Sequence, residues 1–220
     1  MSSIPIDIIT ISREFGAGGS SVAAALSAQL GWRVLDRDLA QQVADRLRLD
    51  RDVVEKFDEQ SPSFLARMAS ALLISSAEAP TPAPPTDVPH HEAIAESARA
   101  LIEEAGRSPP LIVVGHGGQA IFRGRRGTFH VRLVAPIAAR IQRICTRLPC
   151  TLGEAEAQVR RVDADRHDYL RRYFAVEWRD EMLYDLQINT GNISIDDAAE
   201  LIVQAAGLQT VGGRLQPVAR

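Results

Sequence analysis

Two groups of residues in this sequence have the types and the spacing needed to bind phosphate. The first is a glycine-rich turn over residues 12–21, Ser-Arg-Glu-Phe-Gly-Ala-Gly-Gly-Ser-Ser. Its glycines allow backbone N–H groups to point inward around an anion, and a helix that begins directly after them adds positive potential. The second is an arginine-rich segment over residues 160–179, which holds six arginines. Both groups favour a protein whose ligands carry phosphate.

The turn supplies the candidate phosphate contacts Gly16, Ala17, Gly18, Gly19, Ser20 and Ser21. Two phosphate motifs compete for it. A dinucleotide fingerprint, G-x-G-x-x-G, finds Ser21 where its third glycine belongs, although Asp36 would suit a ribose-binding acid. The longer wrap of the loop G-x-x-x-x-G-K-[ST] fits the four non-glycine residues that follow Ile11, so we favour this loop.

That loop pattern is incomplete, because Arg13 stands at its first glycine and Gly19 stands at its lysine. Lys56 is the only lysine of the chain and lies far from the turn. The missing charge therefore has to come from Lys56 or from an arginine. Arg13 is near enough in sequence to be the substitute, and the alternative is a structural salt bridge between Arg13 and a nearby acid.

The elements around these residues alternate between strand and helix. Runs rich in β-branched residues predict strands over residues 4–11, 32–35, 111–114, 129–134 and 186–189. Helical spacing fills most of the intervals, as it does over residues 20–30 and 137–147. Strands that alternate with helices at this spacing are typical of an α/β domain with a parallel sheet.

Composition narrows the classes of function. The net charge is 25 − 28 = −3 and aromatic residues make up 5% of the chain, which argues against a nucleic-acid-binding surface. No apolar run is long enough to span a membrane and the first residues do not resemble a signal peptide, so we expect a cytoplasmic protein. Cys145 and Cys150 lack the partners of a zinc site, and we expect both to be reduced and structural.

Four motifs together resemble the cytidylate-kinase-like family of P-loop proteins: SREFGAGG after a strand, LD after the second strand, VDADRHDYLRRYF and LYDLQINT. The resemblance covers roughly residues 6–206. It implies a three-layer P-loop kinase-like α/β fold, in which a parallel five-stranded sheet has helices on both faces, with a helical insert and an arginine-rich lid. It also implies ATP with Mg²⁺ as the donor, and CMP or a related nucleoside monophosphate as the acceptor.

We expect one domain over residues 1–220, built of core segments 4–36, 109–145 and 185–206, an acceptor-binding helical insert 37–108 with a mobile proline-rich loop 76–91, a lid 151–180 and a tail 211–220. The resemblance assigns catalytic charges to Arg166 and to Arg171 or Arg172, and Arg13 joins them as the candidate substitute for the lysine. It assigns acceptor contacts to Asp36, Arg37 and His116, and it allows Mg²⁺ to be held by Ser20 or Ser21 together with Asp36.

Some of these roles have structural alternatives. Asp36 serves equally well as the residue that begins the next helix, and His116, which stands where cytidylate kinases have an arginine, can be a histidine satisfied within its turn. Three functions follow from the sequence. The chain is a kinase that phosphorylates a nucleoside monophosphate, a non-catalytic nucleotide-binding module with a degenerate loop, or a dinucleotide-dependent oxidoreductase.

Overall fold

The computed structural model describes residues 4–36, 38–46, 91–211 and 214–217. Its main sheet has five parallel strands in the order β2-β3-β1-β4-β5. These strands are β1 (Ile8–Arg13), β2 (Arg33–Leu35), β3 (Leu111–Val114), β4 (Thr128–Val134) and β5 (Leu186–Asn189). The predicted α/β fold with a parallel five-stranded sheet is confirmed.

Seven α-helices lie in the described residues. They are α1 (Gly19–Leu30), α2 (Asp38–Arg46), α3 (His91–Ala105), α4 (Gly118–Ile121), α5 (Ile137–Arg147), α6 (Leu152–Phe174) and α7 (Ile195–Ala205). A single 3₁₀ turn, Glu181–Leu183, precedes β5. No helix among the described residues is long and apolar enough to cross a membrane.

The central strand β1 separates two apolar layers because its side chains alternate between the faces of the sheet. Ile9 and Ile11 are fully buried in one layer, together with residues of α1 and α7 such as Leu26 and Ile202. Ile8 is buried in the opposite layer with side chains of α2 and α3. The sheet is therefore covered on both faces, as parallel sheets generally are.

Helix α6 covers most of the arginine-rich segment as one continuous helix of 23 residues. It begins with a capping box, in which the Thr151 backbone N–H donates to Glu154 Oε2 at 2.8 Å and the Glu154 N–H donates to Thr151 Oγ1 at 3.3 Å. This reciprocal pair satisfies two backbone donors at the helix start. The helix ends at Ala175, whose φ of 53° is left-handed.

The structure differs from the sequence prediction at two places. Strand β1 continues through Ser12 to Arg13, although the sequence predicts a turn from Ser12, because these two residues pair in register with Arg132 and Leu133 of β4. The expected loose tail over 211–220 instead contains a strand: β6 (Leu208–Val211) pairs antiparallel with β7 (Arg214–Pro217). The segment Arg214–Pro217 lacks the apolar run by which the equally short β3 is predicted.

Candidate phosphate-binding site

The turn between β1 and α1, residues 14–18, is called the phosphate loop below. Gly16 and Gly18 have left-handed φ values of 82° and 84°, which favour glycine. A Cβ at Gly18 would also lie 2.6 Å from Ile195 Cδ1. Gly18 is the N-cap of α1 and provides no side-chain cap, and no acidic residue occupies the first turn. The positive end of α1 is thus open to an anion.

Three successive carbonyl oxygens of the phosphate loop are held by side chains from other elements. Arg140 Nη1 donates to the Phe15 carbonyl at 3.3 Å, and Arg143 Nη1 donates to the Gly16 carbonyl at 3.4 Å. Thr190 Oγ1 donates to the Ala17 carbonyl at 2.9 Å. Because these oxygens are engaged, the loop does not turn them toward a ligand. The N–H groups of Glu14, Phe15 and Ala17 donate to oxygens of Leu133, Asp163 and Glu14, so it is the N–H groups of Gly16, Gly18 and the start of α1 that can face an anion.

Arg140 is the centre of a buried ion-pair network behind the loop. Its Nη1 lies 2.5 Å from Asp163 Oδ2 and its Nε lies 3.5 Å from Glu14 Oε2. Asp163 also accepts a hydrogen bond from the Phe15 N–H at 2.7 Å, and Glu14 accepts one from the Ala135 N–H at 3.2 Å. The two carboxylates neutralise Arg140 and join α5 and α6 to the loop, so this arginine has a structural role.

The side chain of Arg13 runs from the start of α1 to the end of β3. A Cβ added at Gly19 would lie 2.7 Å from Arg13 Cγ, and a Cβ added at Gly115 would lie 1.6 Å from Arg13 Nη1. The guanidinium also pairs with Asp36, at 3.9 Å between Nη2 and Oδ1. The missing side chains at both glycines therefore create the space that Arg13 occupies. A lysine at position 19 and this position of Arg13 exclude each other.

Arg166 of α6 is brought against Arg13. Its Nη1 donates to the Arg13 carbonyl at 2.8 Å, and its guanidinium lies over the Phe15 ring at 5.9 Å from the centroid. Burial, and then the positive charge of Arg13, lower the pKa of Arg166 to about 9, while Asp163 and Asp36 oppose the shift. The guanidinium is still charged at neutral pH.

His116 follows β3 and is the fourth residue of the group that also contains Arg13, Asp36 and Arg166. Its φ of 52° is left-handed, which is uncommon for a residue with a side chain. Burial, followed by the charges of Arg13 and Arg166, lowers its pKa to about 3, although a hydrogen bond to the Asp36 backbone opposes this. The imidazole is therefore neutral at pH 7. We call Arg13, Arg166, Asp36 and His116 the arginine cluster. With two cations and one carboxylate, it has an excess positive charge beside the phosphate loop.

A second buried arginine supports the end of β1 that carries the cluster. Arg132 Nη1 donates to the Trp178 carbonyl at 3.0 Å, and its guanidinium lies over the rings of Trp178 and Tyr184. Trp178 Nε1 in turn donates to Ser12 Oγ at 2.9 Å. Ser12 precedes Arg13 directly, so these contacts hold the backbone from which Arg13 projects. No sequence motif indicates this support, because Ser12, Arg132 and Trp178 are far apart along the chain.

The remaining predicted residues lie elsewhere. Arg171 and Arg172 are exposed and outside the cluster: Arg171 pairs with Asp168 at 3.2 Å, and Arg172 lies over the Tyr173 ring. At 3.6 residues per turn, positions 171 and 172 leave the inner face of α6 that carries Arg166. Their predicted contact with phosphate stays a prediction.

Among the other predicted contacts, Ser20 is exposed, and Ser21 Oγ accepts a hydrogen bond from Arg147 at 3.1 Å. Arg37, Lys56 and the proline-rich loop 76–91 lie outside the described residues, apart from His91 at the start of α3.

Asp36, Ser20 and Ser21, the predicted Mg²⁺ ligands, have oxygen donors of the kind that Mg²⁺ takes together with several waters and substrate phosphates. The described residues contain no group of three or more His, Cys, Asp or Glu side chains that could hold a metal. Ser20 is exposed and Ser21 is bonded to Arg147, and the place of the three residues in a Mg²⁺ site stays a prediction.

Comparisons with known proteins agree with this geometry. A model of the cytidylate kinase-like family matches residues 8–192. An uncharacterized protein from Eubacterium ventriosum has a similar structure, with a TM-score of 0.64 and 19% identity over 90% of this chain and 97% of that one. Shikimate kinase from Acinetobacter baumannii superposes with a TM-score of 0.51 and 16% identity, over 90% of this chain and 92% of that chain. At these identities the likeness shows the fold.

A match to a curated protein is partial. The uronate isomerase of Corynebacterium glutamicum is 27% identical over 96 residues, which are 42% of this chain. The aligned part spans 18% of that protein. This similarity does not extend over the whole of either protein.

Proposed function

Since the chain belongs to the cytidylate kinase-like family, we propose that it transfers the γ-phosphoryl group of ATP to a nucleoside monophosphate or a related small acceptor. The observation that carries the proposal is the place of Arg13. Its side chain passes over Gly19, where a P-loop has its lysine, and its guanidinium lies over Gly115 at the end of β3. A positive charge thus lies between the phosphate loop and the strand ends that would face an acceptor.

On the donor side, the N–H groups of the phosphate loop and the start of α1 would bind the β- and γ-phosphates. Arg13 would supply the charge that the lysine supplies in other P-loops. Mg²⁺ bound to the donor phosphates, beside Asp36 and the hydroxyls of Ser20 or Ser21, would neutralise charge that develops on the transferred group.

On the acceptor side, Asp36 and His116 stand at the ends of neighbouring strands β2 and β3. A neutral imidazole orients a ligand by a hydrogen bond and adds no charge, so Arg166 would be the cation that contacts the transferred group from α6. Phosphoryl transfer needs positioning and charge neutralisation and no covalent enzyme intermediate. The arginine cluster provides two guanidinium cations and one carboxylate for these tasks.

A non-catalytic nucleotide-binding module is the second candidate. The pairing of Arg13 with Asp36 favours it, because the carboxylate neutralises part of the charge that transfer would use. The two candidates separate in one assay of the purified full chain with Mg-ATP and a panel of nucleoside monophosphates. Formation of ADP and a nucleoside diphosphate supports the kinase. Nucleotide binding without any product supports the module and overturns the kinase.

An exchange of residues tests the role of Arg13 directly. We expect Arg13→Ala to lower kcat by about 10²–10³-fold, in the range seen when one preorganised charge donor is removed. Gly19→Lys alone should also be impaired, because its Cβ would meet Arg13 Cγ at 2.7 Å. The double variant Arg13→Ala/Gly19→Lys should recover activity relative to Arg13→Ala.

Arg160→Ala is the control for these variants, because Arg160 is exposed and pairs with Glu156 on its own helix. Its kcat should equal that of the wild type. If the double variant is no more active than Arg13→Ala, the hypothesis that Arg13 replaces the P-loop lysine is wrong. The kinase proposal is tested separately, by the product assay.

A further inference from the structure

The two cysteines of the chain lie side by side at the junction of α5 and α6. Cys145 belongs to the last turns of α5, and Cys150 directly precedes Thr151, the N-cap of α6. Their sulfur atoms are 3.6 Å apart, and neither cysteine is in a disulfide. Both are partly exposed, so a small solute can reach them. Four residues separate the two thiols in sequence, and the end of α5 folds them together.

The surroundings favour thiol chemistry over metal binding. Both side chains pack against an apolar cluster formed by Phe15, Ile144 and residues of α6. In the part of the chain that the structure describes, no third or fourth metal-ligating side chain joins them. Two neighbouring thiols without other ligands can instead react with each other, because a thiolate attacks an oxidised sulfur within reach.

We propose that Cys145 and Cys150 form a reversible intramolecular disulfide when they meet a two-electron oxidant such as hydrogen peroxide. In the first step the thiolate of one cysteine attacks one peroxide oxygen, the O–O bond breaks and water leaves after protonation, which produces a sulfenic acid. In the second step the sulfur of the other cysteine attacks the oxidised sulfur and the S–O bond breaks. Two thiols and one peroxide thus give one disulfide and two waters.

The distance between the two sulfurs carries the proposal, and either thiol can be the first to react. Burial, together with the hydrogen bond and the charge of Cys145, raises the pKa of the Cys150 thiol. The disulfide would tie together α5 and α6, the two helices that hold the phosphate loop through Arg140 and Asp163.

The test uses the full reduced chain, treated with a small excess of hydrogen peroxide and then alkylated. We expect both thiols to disappear together, with an intact mass lower by two hydrogen atoms, a monomer on a non-reducing gel and full recovery after a thiol reductant. The rate should rise with pH, because the attacking species is the thiolate. A peptide that contains both cysteines joined by a disulfide would locate the bond.

Single variants make the outcome decisive. Cys150→Ser and Cys145→Ser should each stop at a sulfenic acid that a dimedone-type reagent traps on the remaining cysteine, and neither should form an intramolecular disulfide. Independent alkylation of the two thiols after peroxide, oxygen addition without loss of hydrogen, or disulfides only between chains would each overturn the proposal. None of these measurements uses nucleotide or kinase activity, so their failure is separate from failure of the proposed function.

Discussion

Arg13 contacts every part of the proposed site at the scale of single residues. Its stem lies over Gly19, its guanidinium lies over Gly115, and its charge pairs with Asp36 at 3.9 Å. Its backbone carbonyl accepts the hydrogen bond of Arg166 at 2.8 Å. The sequence left two roles open for Arg13, a charge in place of the lysine and a salt bridge with an acid. One position of the Arg13 side chain allows both. The salt bridge is present, and the catalytic charge stays a prediction.

The ionisation of His116 gives a prediction for stability against pH. The pKa of His116 is about 3 in the folded chain, against an ordinary histidine value of 6.5, so the unfolded chain binds a proton between these pH values that the folded chain does not. The contribution of His116 to stability therefore falls as pH falls through this window. We expect His116→Asn, which tolerates a left-handed φ, to flatten the decrease in stability between pH 7 and 5.

The measurement is urea unfolding of wild type and His116→Asn at several pH values. The difference in unfolding free energy between the two proteins should move in favour of the variant as pH falls. A difference that is independent of pH would show that His116 is not held neutral in the folded chain.

Gly117 offers a second prediction for a single residue. Its φ is 78°, and a Cβ at this position would lie 2.6 Å from the Phe174 ring. Gly124 has a similar φ of 75° with no atom within 4 Å of its Cβ position. We expect Gly117→Ala to lower the unfolding free energy by about 1–3 kcal/mol more than Gly124→Ala, because only Gly117 adds overpacking to the backbone strain. Equal losses in urea unfolding would contradict the contact with Phe174.

At the scale of elements, α6 stabilises the phosphate loop through side-chain contacts. One face of this helix carries Asp163, which binds the Phe15 N–H, and Arg166, which binds the Arg13 carbonyl. At its end, Phe174 packs against Gly117. The family resemblance implies a lid here. In this conformation the inner face of α6 contacts Phe15 of the phosphate loop, Arg13 of β1 and Gly117 after β3.

Removal of the Asp163 carboxylate should weaken the attachment of α6 to the phosphate loop. Asp163→Ala leaves Glu14, at 3.5 Å, as the carboxylate partner of the buried Arg140 and frees the Phe15 N–H. We expect a loss of about 2–4 kcal/mol in unfolding free energy, since a buried charge loses its nearest partner. Asp168→Ala, on the exposed face of α6, should change stability by under about 1 kcal/mol. Similar losses for both variants in chemical denaturation would contradict a stabilising role of Asp163.

At the scale of the whole molecule, sheet topology gathers the site. The order β2-β3-β1-β4-β5 places the carboxyl ends of β2, β3 and β1 next to one another. These ends carry Asp36, His116 and Arg13, which lie 23 to 103 residues apart along the chain. Ligands of open parallel sheets bind at this edge for the same reason.

A ligand that binds at this edge should stabilise the entire fold. At about 100 times its Kd, Mg-ATP should add about 2.7 kcal/mol to the unfolding free energy, which raises Tm by several degrees. Arg13→Ala should reduce this shift at the same nucleotide concentration, and Arg160→Ala should leave it unchanged. Thermal unfolding with and without nucleotide measures the effect. An equal shift in all three proteins would place the nucleotide away from Arg13.

The sequence by itself determined the features that depend on neighbouring residues. The capping box at Thr151, the glycines of the phosphate loop and the order of strands and helices all follow from local rules, and the structure contains them. The family and the parallel sheet were also predicted from these motifs. Such features depend on backbone sterics and periodicity, which act over a few residues.

Only the tertiary structure decided which arginines meet the loop. Arg166 and Arg171 look alike in a charged helix, yet one contacts Arg13 and the other is exposed. Arg140 became the partner of Asp163, 23 residues away, and Arg13 filled the space above Gly19 and Gly115. These outcomes depend on helix rotation and on strands that meet through the sheet, and no local pattern encodes either. The physical reason is that contact between distant side chains is a property of packing.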